Sequence, residues 1–211
     1  MKILALDQLN KTCQFDVTES ASGISFTFVK TAELNYKVEL LSKNETNKTL
    51  FEGSESELSD VLSQFIDFNG NFIPFANRKN LLLNNDTKLR ITIDWKNADV
   101  DDTVTSIAYD LTSEFEDTVK PLVIIKEKFS LSEDIETENY DYLMLPEKFD
   151  SYESITSLGG QQKKQFHTKA TFEALTRGVD SDRILKTFSG QKVKINVSPT
   201  DGEQTYYLIQ Y

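Results

Sequence analysis

Acidic and amide side chains crowd one run, NNDTKLRITIDWKNADVDDT (84–103). Asp94, Asn97, Asp99, Asp101 and Asp102 place five oxygen-bearing groups within nine residues. Hard cations such as calcium take six to eight oxygen ligands, so the cluster raises that chemistry first. A helix–loop–helix calcium loop also needs Gly at its sixth position and Glu at its twelfth. Counted from Asp94 those positions hold Asp99 and Thr105; counted from Asp99 they hold Val104 and Asp110. The specific motif is absent. An irregular calcium site through Asp99, Asp101 and Asp102 stays open beside the favoured reading. In that reading a strand ends at Trp95 and a solvated turn follows, built from the Asn and Asp residues that make turns.

Other catalytic arrangements have little to work with. His167 is the single histidine, and a Ser–His–Asp or Cys–His constellation would have to use it. No Gly-x-Ser-x-Gly elbow accompanies it. In KQFHTKATF it is opposite in phase to Phe166, so it is expected to point outward, solvated or locally hydrogen-bonded. LGGQQKK (158–164) lacks the spacing of a phosphate loop. Cys13 is the lone cysteine, which excludes an intramolecular disulfide and a cysteine-built zinc site; it reads as a half-buried core residue. Glycoside hydrolysis needs two carboxylates about 5–9.5 Å apart. Asp94, Glu127 and Glu173 are eligible only because each falls on an expected strand. An enzyme is not expected, and no cofactor is implied.

Aromatic residues offer binding rather than catalysis. ENYDYLMLPEKFDSYESI interleaves Tyr140, Tyr142, Phe149 and Tyr152 with acids. Tyrosines among polar groups stack on sugar rings or anchor protein interfaces. Trp95, Tyr140, Tyr142 and Tyr152 are the candidate interface or ligand residues. Within this run Tyr142 and Met144 alternate with Leu143 and Leu145. Apolar side chains on both faces of one strand mean that both faces are covered.

Charge narrows the partners. The 211-residue chain has net charge -11. From Asp94 to Glu153 about 17 acids face about 5 bases, whereas Lys163, Lys164, Lys169, Arg177, Arg183, Lys186, Lys192 and Lys194 make the C-terminal part basic. An acidic surface repels phosphate, which argues against nucleic acid held by broad electrostatics, and against an anionic membrane face. An acidic middle and a basic end could meet head to tail between copies; two solvated faces are the plainer reading. No apolar run approaches the ~20 residues of a membrane-spanning helix. The N-terminal MKILALDQLNK is too short in apolar residues for a secretory signal, so synthesis in the cytoplasm is expected. Asn-x-Thr triplets at Asn10, Asn44, Asn47 and Asn85 then read as chance.

The elements that would carry these residues are mostly strands. KLRITIDW alternates, with Leu89, Ile91, Ile93 and Trp95 on one face. ISFTFVK, YKVELLS, TSIAYDLT, PLVIIKEKFSL, KQFHTKATFEA, QKVKINV and TYYLIQY read likewise. VSPTDGEQ between the last two reads as a hairpin loop. One helix is expected over Ser54–Phe68: Leu58, Val61, Leu62, Phe65 and Ile66 form an apolar stripe. Ser54 and Glu57 fit a capping box, and Asn69-Gly70 supplies the stop. No internal sequence repeat is visible. The polar EFEDTVKP (114–121) suggests a boundary: a β domain over 1–118 with the helix, and a second β-rich domain over 119–211. One continuous domain is the alternative.

FIDFNGNFIPFANRKNLLLNNDTKLRITIDW (65–95) resembles bacteriophage virion structural proteins of β-barrel or jelly-roll type. The matching residues are Ile73, Pro74 and Phe75, then Leu81, Leu82 and Leu83, then Leu89, Ile91 and Ile93; they span about one seventh of the chain. The resemblance implies a non-enzymatic structural subunit of a capsid, vertex, spike or tail, without a cofactor, and transfers no functional residue. The expected fold is mainly β, an antiparallel sandwich or barrel of jelly-roll kind in one or two units. Expected partners are copies of itself and other virion proteins, with a host-surface glycan possible. Rival functions are a carbohydrate- or receptor-binding β-sandwich module and a β-sandwich glycoside hydrolase.

Overall fold

Strands with one apolar face settle where that face meets a second sheet. The computed structural model describes residues 1–64, 71–99, 101–158, 161–176, 183–188 and 191–210. The chain divides into two compact units, Met1–Val123 and Ile124–Gln210.

The first unit runs β1 (Lys2–Ile3), β2 (Thr12–Val17), β3 (Gly23–Lys30), β4 (Asn35–Ser42), β5 (Lys48–Ser54), α1 (Glu55–Ser63), β6 (Phe72–Pro74), β7 (Asn80–Leu81), β8 (Thr87–Asp94), β9 (Val104–Thr112) and β10 (Asp117–Thr118). Two four-stranded sheets form, β1-β9-β3-β6 and β2-β8-β4-β5. All their pairings are antiparallel. Leu89, Ile91 and Ile93 of β8 are fully buried, as the alternation requires. Each such side chain contributes about 1.5–3 kcal/mol through burial. Aromatic rings bridge the two sheets: Phe15 stacks on Tyr109 at 4.7 Å, and Phe26 on Tyr36 at 6.1 Å. At the start of β3 the backbone passes so close to β6 that a Cβ on Gly23 would lie 2.2 Å from the Phe72 ring. Only glycine fits there.

The second unit runs β11 (Val123–Phe129), β12 (Ser132–Glu136), β13 (Tyr142–Met144), β14 (Ser151–Leu158), β15 (Gln161–Thr168), α2 (Lys169–Thr176), β16 (Ile184–Lys186), β17 (Gln191–Asn196) and β18 (Gln204–Gln210). Its sheets are β11-β18-β13-β16 and β12-β17-β14-β15. Their inner faces make one core from Ile135, Leu143, Leu145, Tyr152, Val193, Ile195, Tyr206 and Leu208, among others.

Leaving aside the short β7 and β10, both units share one topology. Numbered along either unit, strands 1-8-3-6 form one sheet and 2-7-4-5 the other. This is the jelly roll, eight strands in two sheets with Greek-key connections. In both, a helix follows the fifth strand directly. The topology repeats where the sequence shows no repeat.

Several expectations need correction. The helix after Ser54 spans Glu55–Ser63, with Gln64 as its C-cap; Phe65, Ile66, Phe68, Asn69 and Gly70 lie outside the described residues. Its capping box is present: Glu57 N–H donates to Ser54 Oγ at 3.2 Å, and Ser54 N–H donates to Glu57 Oε2 at 3.0 Å. Leu58, Val61 and Leu62 are buried. KQFHTKATFEA is not one strand: it turns helical after Thr168, whose Oγ1 accepts from Thr171 N–H at 3.2 Å in N-cap fashion. Ala170, Ala174 and Leu175 are strong helix formers, and they outweigh the β-branched residues around them. The loop between β17 and β18 is no hairpin, because those strands belong to different sheets.

The stretch EFEDTVKP is held by pairing: β10 lies parallel to β7. Asn80 straps the same stretch, accepting from Glu114 N–H at 2.7 Å and donating to its carbonyl at 2.8 Å.

Candidate functional site

The acidic run closes a strand and continues into a turn. Trp95 N–H donates to the Lys11 carbonyl, and the chain then turns through Ala98 N–H to Trp95 O and Asp102 N–H to Asp99 O, each at 3.1 Å. Asp99, Asp101 and Asp102 ride on this turn. Among the described residues no three His, Cys, Asp or Glu side chains come together in a group able to hold a metal. The turn itself is held by its own backbone hydrogen bonds.

The aromatic candidates fall apart into two sorts. Trp95 is 2% exposed and belongs to the first unit's core. Tyr152 is 6% exposed. It stacks on His167 at 4.9 Å and meets Phe172 edge-on at 5.7 Å, and burial raises its phenol pKa. Neither ring offers a face to a sugar, so both are corrected from ligand candidates to packing residues. Tyr140 and Tyr142 are half-buried. Tyr140 packs on the second unit's core. Tyr142 sits in β13, opposite Lys186 on one side and Ile209 on the other. Leu143 and Met144 next to it are fully buried, as a strand covered on both faces requires.

His167 is neither solvated nor catalytic in arrangement. It is half-buried under Tyr152, and its Nδ1 is buried without a hydrogen-bond partner among the described residues. A triad histidine needs a carboxylate there to fix its tautomer. Glu173 stands on α2 rather than on a strand, and both it and Glu127 are exposed. Cys13 is more buried than expected, 3% exposed, and burial pushes its thiol to about 11. No helix among the described residues is long and apolar enough to cross a membrane.

What remains is surface. One open groove of about 500 Å³ in the first unit is lined by Leu41, Lys43, Leu83, Asn84, Asp86 and Lys88. Lys43 already spans it, donating to the Asn85 carbonyl at 2.7 Å and pairing with Asp86 at 3.3 Å. In the second unit, opposite charges lie on one sheet. Lys192 pairs with Glu136, and Lys164 with Glu153 at 3.2 Å. Part of the expected attraction between acidic middle and basic end is therefore satisfied within the chain.

No protein-family model matches the sequence, and no curated protein matches it. The fold does have counterparts. The major capsid protein P2 of bacteriophage PM2 superposes with a TM-score of 0.56, covering 99% of this chain and 94% of its own, at 11% identity. The STIV MCP gives a TM-score of 0.54, with 99% and 92% covered, again at 11% identity. The likeness is one of fold, and it runs the length of the chain. The short resemblance seen in residues 65–95 thus extends, as architecture, across both units. The second unit's β11, β17 and β18 fall on strands expected from alternation, whereas β12, β14 and the start of β15 are mostly polar.

Proposed function

We propose that this chain is a non-enzymatic structural subunit of a virion, and specifically of its shell. One observation carries the reading: both jelly rolls together, 99% of the chain, follow the fold of the PM2 major capsid protein. An isolated jelly roll hosts many functions, lectins and cupins among them. A tandem pair of matching length is a narrower likeness. The chemistry-bearing residues support the same reading: Trp95 and Tyr152 are spent on cores, and the acids after Trp95 on a turn. The work of such a subunit is contact. Two like barrels in one chain let a few chains tile a shell with many similar surfaces. Newly made chains would gather in the cytoplasm and end in the particle, beside copies of themselves and other virion proteins.

The test is compositional. Particles banded on a density gradient from cells that encode this chain should contain it among their abundant proteins. Particles whose shell is complete without it would overturn the proposal.

A further inference from the structure

We infer that the two free edges of the β12-β17-β14-β15 sheet join head to tail between copies of this chain, β15 of one copy lying along β12 of the next. The first observation is β15 itself. Seven of its eight residues are exposed, on both faces of the strand, and Phe166 is 64% exposed. Among the described residues, β14 is its one strand neighbour, and no backbone hydrogen bond from another element reaches its outer edge. Such an edge is a template for strand addition.

The second observation is the opposite edge. β12 carries Glu133, Asp134 and Glu136, with Asp134 and Glu136 exposed, whereas β15 carries Lys163 and Lys164. On the sheet's outer face the opposed residues Glu136, Lys192, Ile155 and Lys164 form a row across all four strands. That row begins in a carboxylate and ends in an ammonium. Extending it into a second copy places Lys164 next to an acid.

Strand direction agrees. Each of the three neighbouring pairs in the sheet is antiparallel. β12 and β15 therefore run in opposite senses, and a second copy in the same orientation continues the antiparallel alternation unbroken. The symmetric alternatives fail on charge. β15 against β15 opposes lysines, and β12 against β12 opposes acids; like charges directly across a pair destabilise it. Edge lysines block indiscriminate strand pairing while admitting an acidic strand. A contact of this head-to-tail kind closes into a ring or runs on as a filament.

The inference does not depend on the shell reading, and a charge swap tests it. The wild-type chain should self-associate in sedimentation velocity, less at high salt than at low. Lys163→Glu with Lys164→Glu, and separately Asp134→Lys with Glu136→Lys, should each weaken association by roughly tenfold or more. An equimolar mixture of the two variants should restore it, since each then offers the other a complementary edge. Restoration also shows that both variants are folded. Association of either variant at wild-type strength overturns the inference, as does a mixture that stays apart. On the unmodified chain, mixed ¹⁴N and ¹⁵N copies treated with a zero-length carbodiimide should link Lys163 or Lys164 to the β12 acids across isotopes. Links confined to one isotope overturn it. Shells that form regardless of the swap sink this contact and leave the shell reading standing. Swap-dependent rings or filaments in a chain absent from particles do the reverse.

Discussion

The fifth strands of the two units, β5 and β15, hold the same place in the same topology. Each is a sheet edge, and each runs directly into a helix behind a hydroxyl cap, Ser54 or Thr168. They are finished differently. β5 buries Leu50 and Phe51, and the helix after it buries Leu58, Val61 and Leu62. On β15 no residue is buried, and the helix after it presses Phe172 into the core. A partly buried edge is anchored in its own unit. An edge exposed on both faces keeps its hydrogen-bonding rim for something else. Topology fixes where an edge lies; side chains decide whether it is used at home.

The largest test of this contrast sets core rings against the exposed one. Truncating a buried ring costs about 3–5 kcal/mol, and an exposed one within about 0.5 kcal/mol. Trp95→Ala should destabilise the first unit by the larger amount and Phe172→Ala the second, in denaturant melts followed by far-ultraviolet circular dichroism. Phe166→Ala should leave the midpoint where it was. A mild Trp95→Ala would return that ring to the surface and to the glycan reading.

Gly23→Ala comes next. Its new Cβ meets the Phe72 ring and the Ile73 carbonyl, at 2.2 and 2.7 Å. The carbonyl is fixed by the β3–β6 pairing. Overpacking of this kind costs about 1–3 kcal/mol. A neutral result in thermal melts would mean that β6 is held loosely.

Local signals and long-range ones were not equally legible. The period-two run at Leu89–Trp95 and the Ser54/Glu57 box are properties of neighbouring residues, and both were readable from the letters. The β14–β15 hairpin was not: Ser157, Gln161, Gln162, Lys163 and Lys164 carry no apolar alternation to see. The loop after β17 carries the residues of a turn, and only sheet order shows that it crosses between layers. Trp95 shares the phase of Ile91 and Ile93, and that phase already placed it inside. The repeat of topology left no repeat of residues, since a jelly roll asks for apolar volume on inner faces rather than for particular side chains.

The caps supply a smaller comparison. Ser54 takes part in a reciprocal box, while Thr168 shows the forward bond from Thr171, whose hydroxyl it also meets at 3.0 Å. Removing an N-cap hydroxyl costs about 1 kcal/mol. Ser54→Ala should cost more than Thr168→Ala, because Glu57 also loses the geometry that holds it on the Ser54 N–H. Equal losses in chemical denaturation would show that the back-bond from Glu57 adds nothing.

The smallest effect lies at the second strands, where each unit pairs an edge acid with a cation on the seventh. Asp16 opposes Arg90 in the first unit, and Glu136 opposes Lys192 in the second. Asp16 is the better held: Arg90 reaches it at 3.0 Å and Lys88 at 2.5 Å, and its side chain is 30% exposed against 70% for Glu136. Hydrogen bonds from Arg90, then from Lys88, keep the Asp16 carboxyl below its ordinary range. A lowered native pKa adds stability that is present above the unfolded value, about 3.9, and is lost as pH falls through the native one. Asp16→Asn should therefore trail the wild type at pH 7 by less than about 1 kcal/mol. The two should converge in acid once Asp16 is protonated in both native and unfolded chains. Glu136→Gln should leave the monomer's melting temperature unmoved at either pH while weakening association between copies. If Glu136→Gln instead lowers monomer stability and spares association, the β12 acids serve their own unit, and the two edges differ less than their exposure suggests.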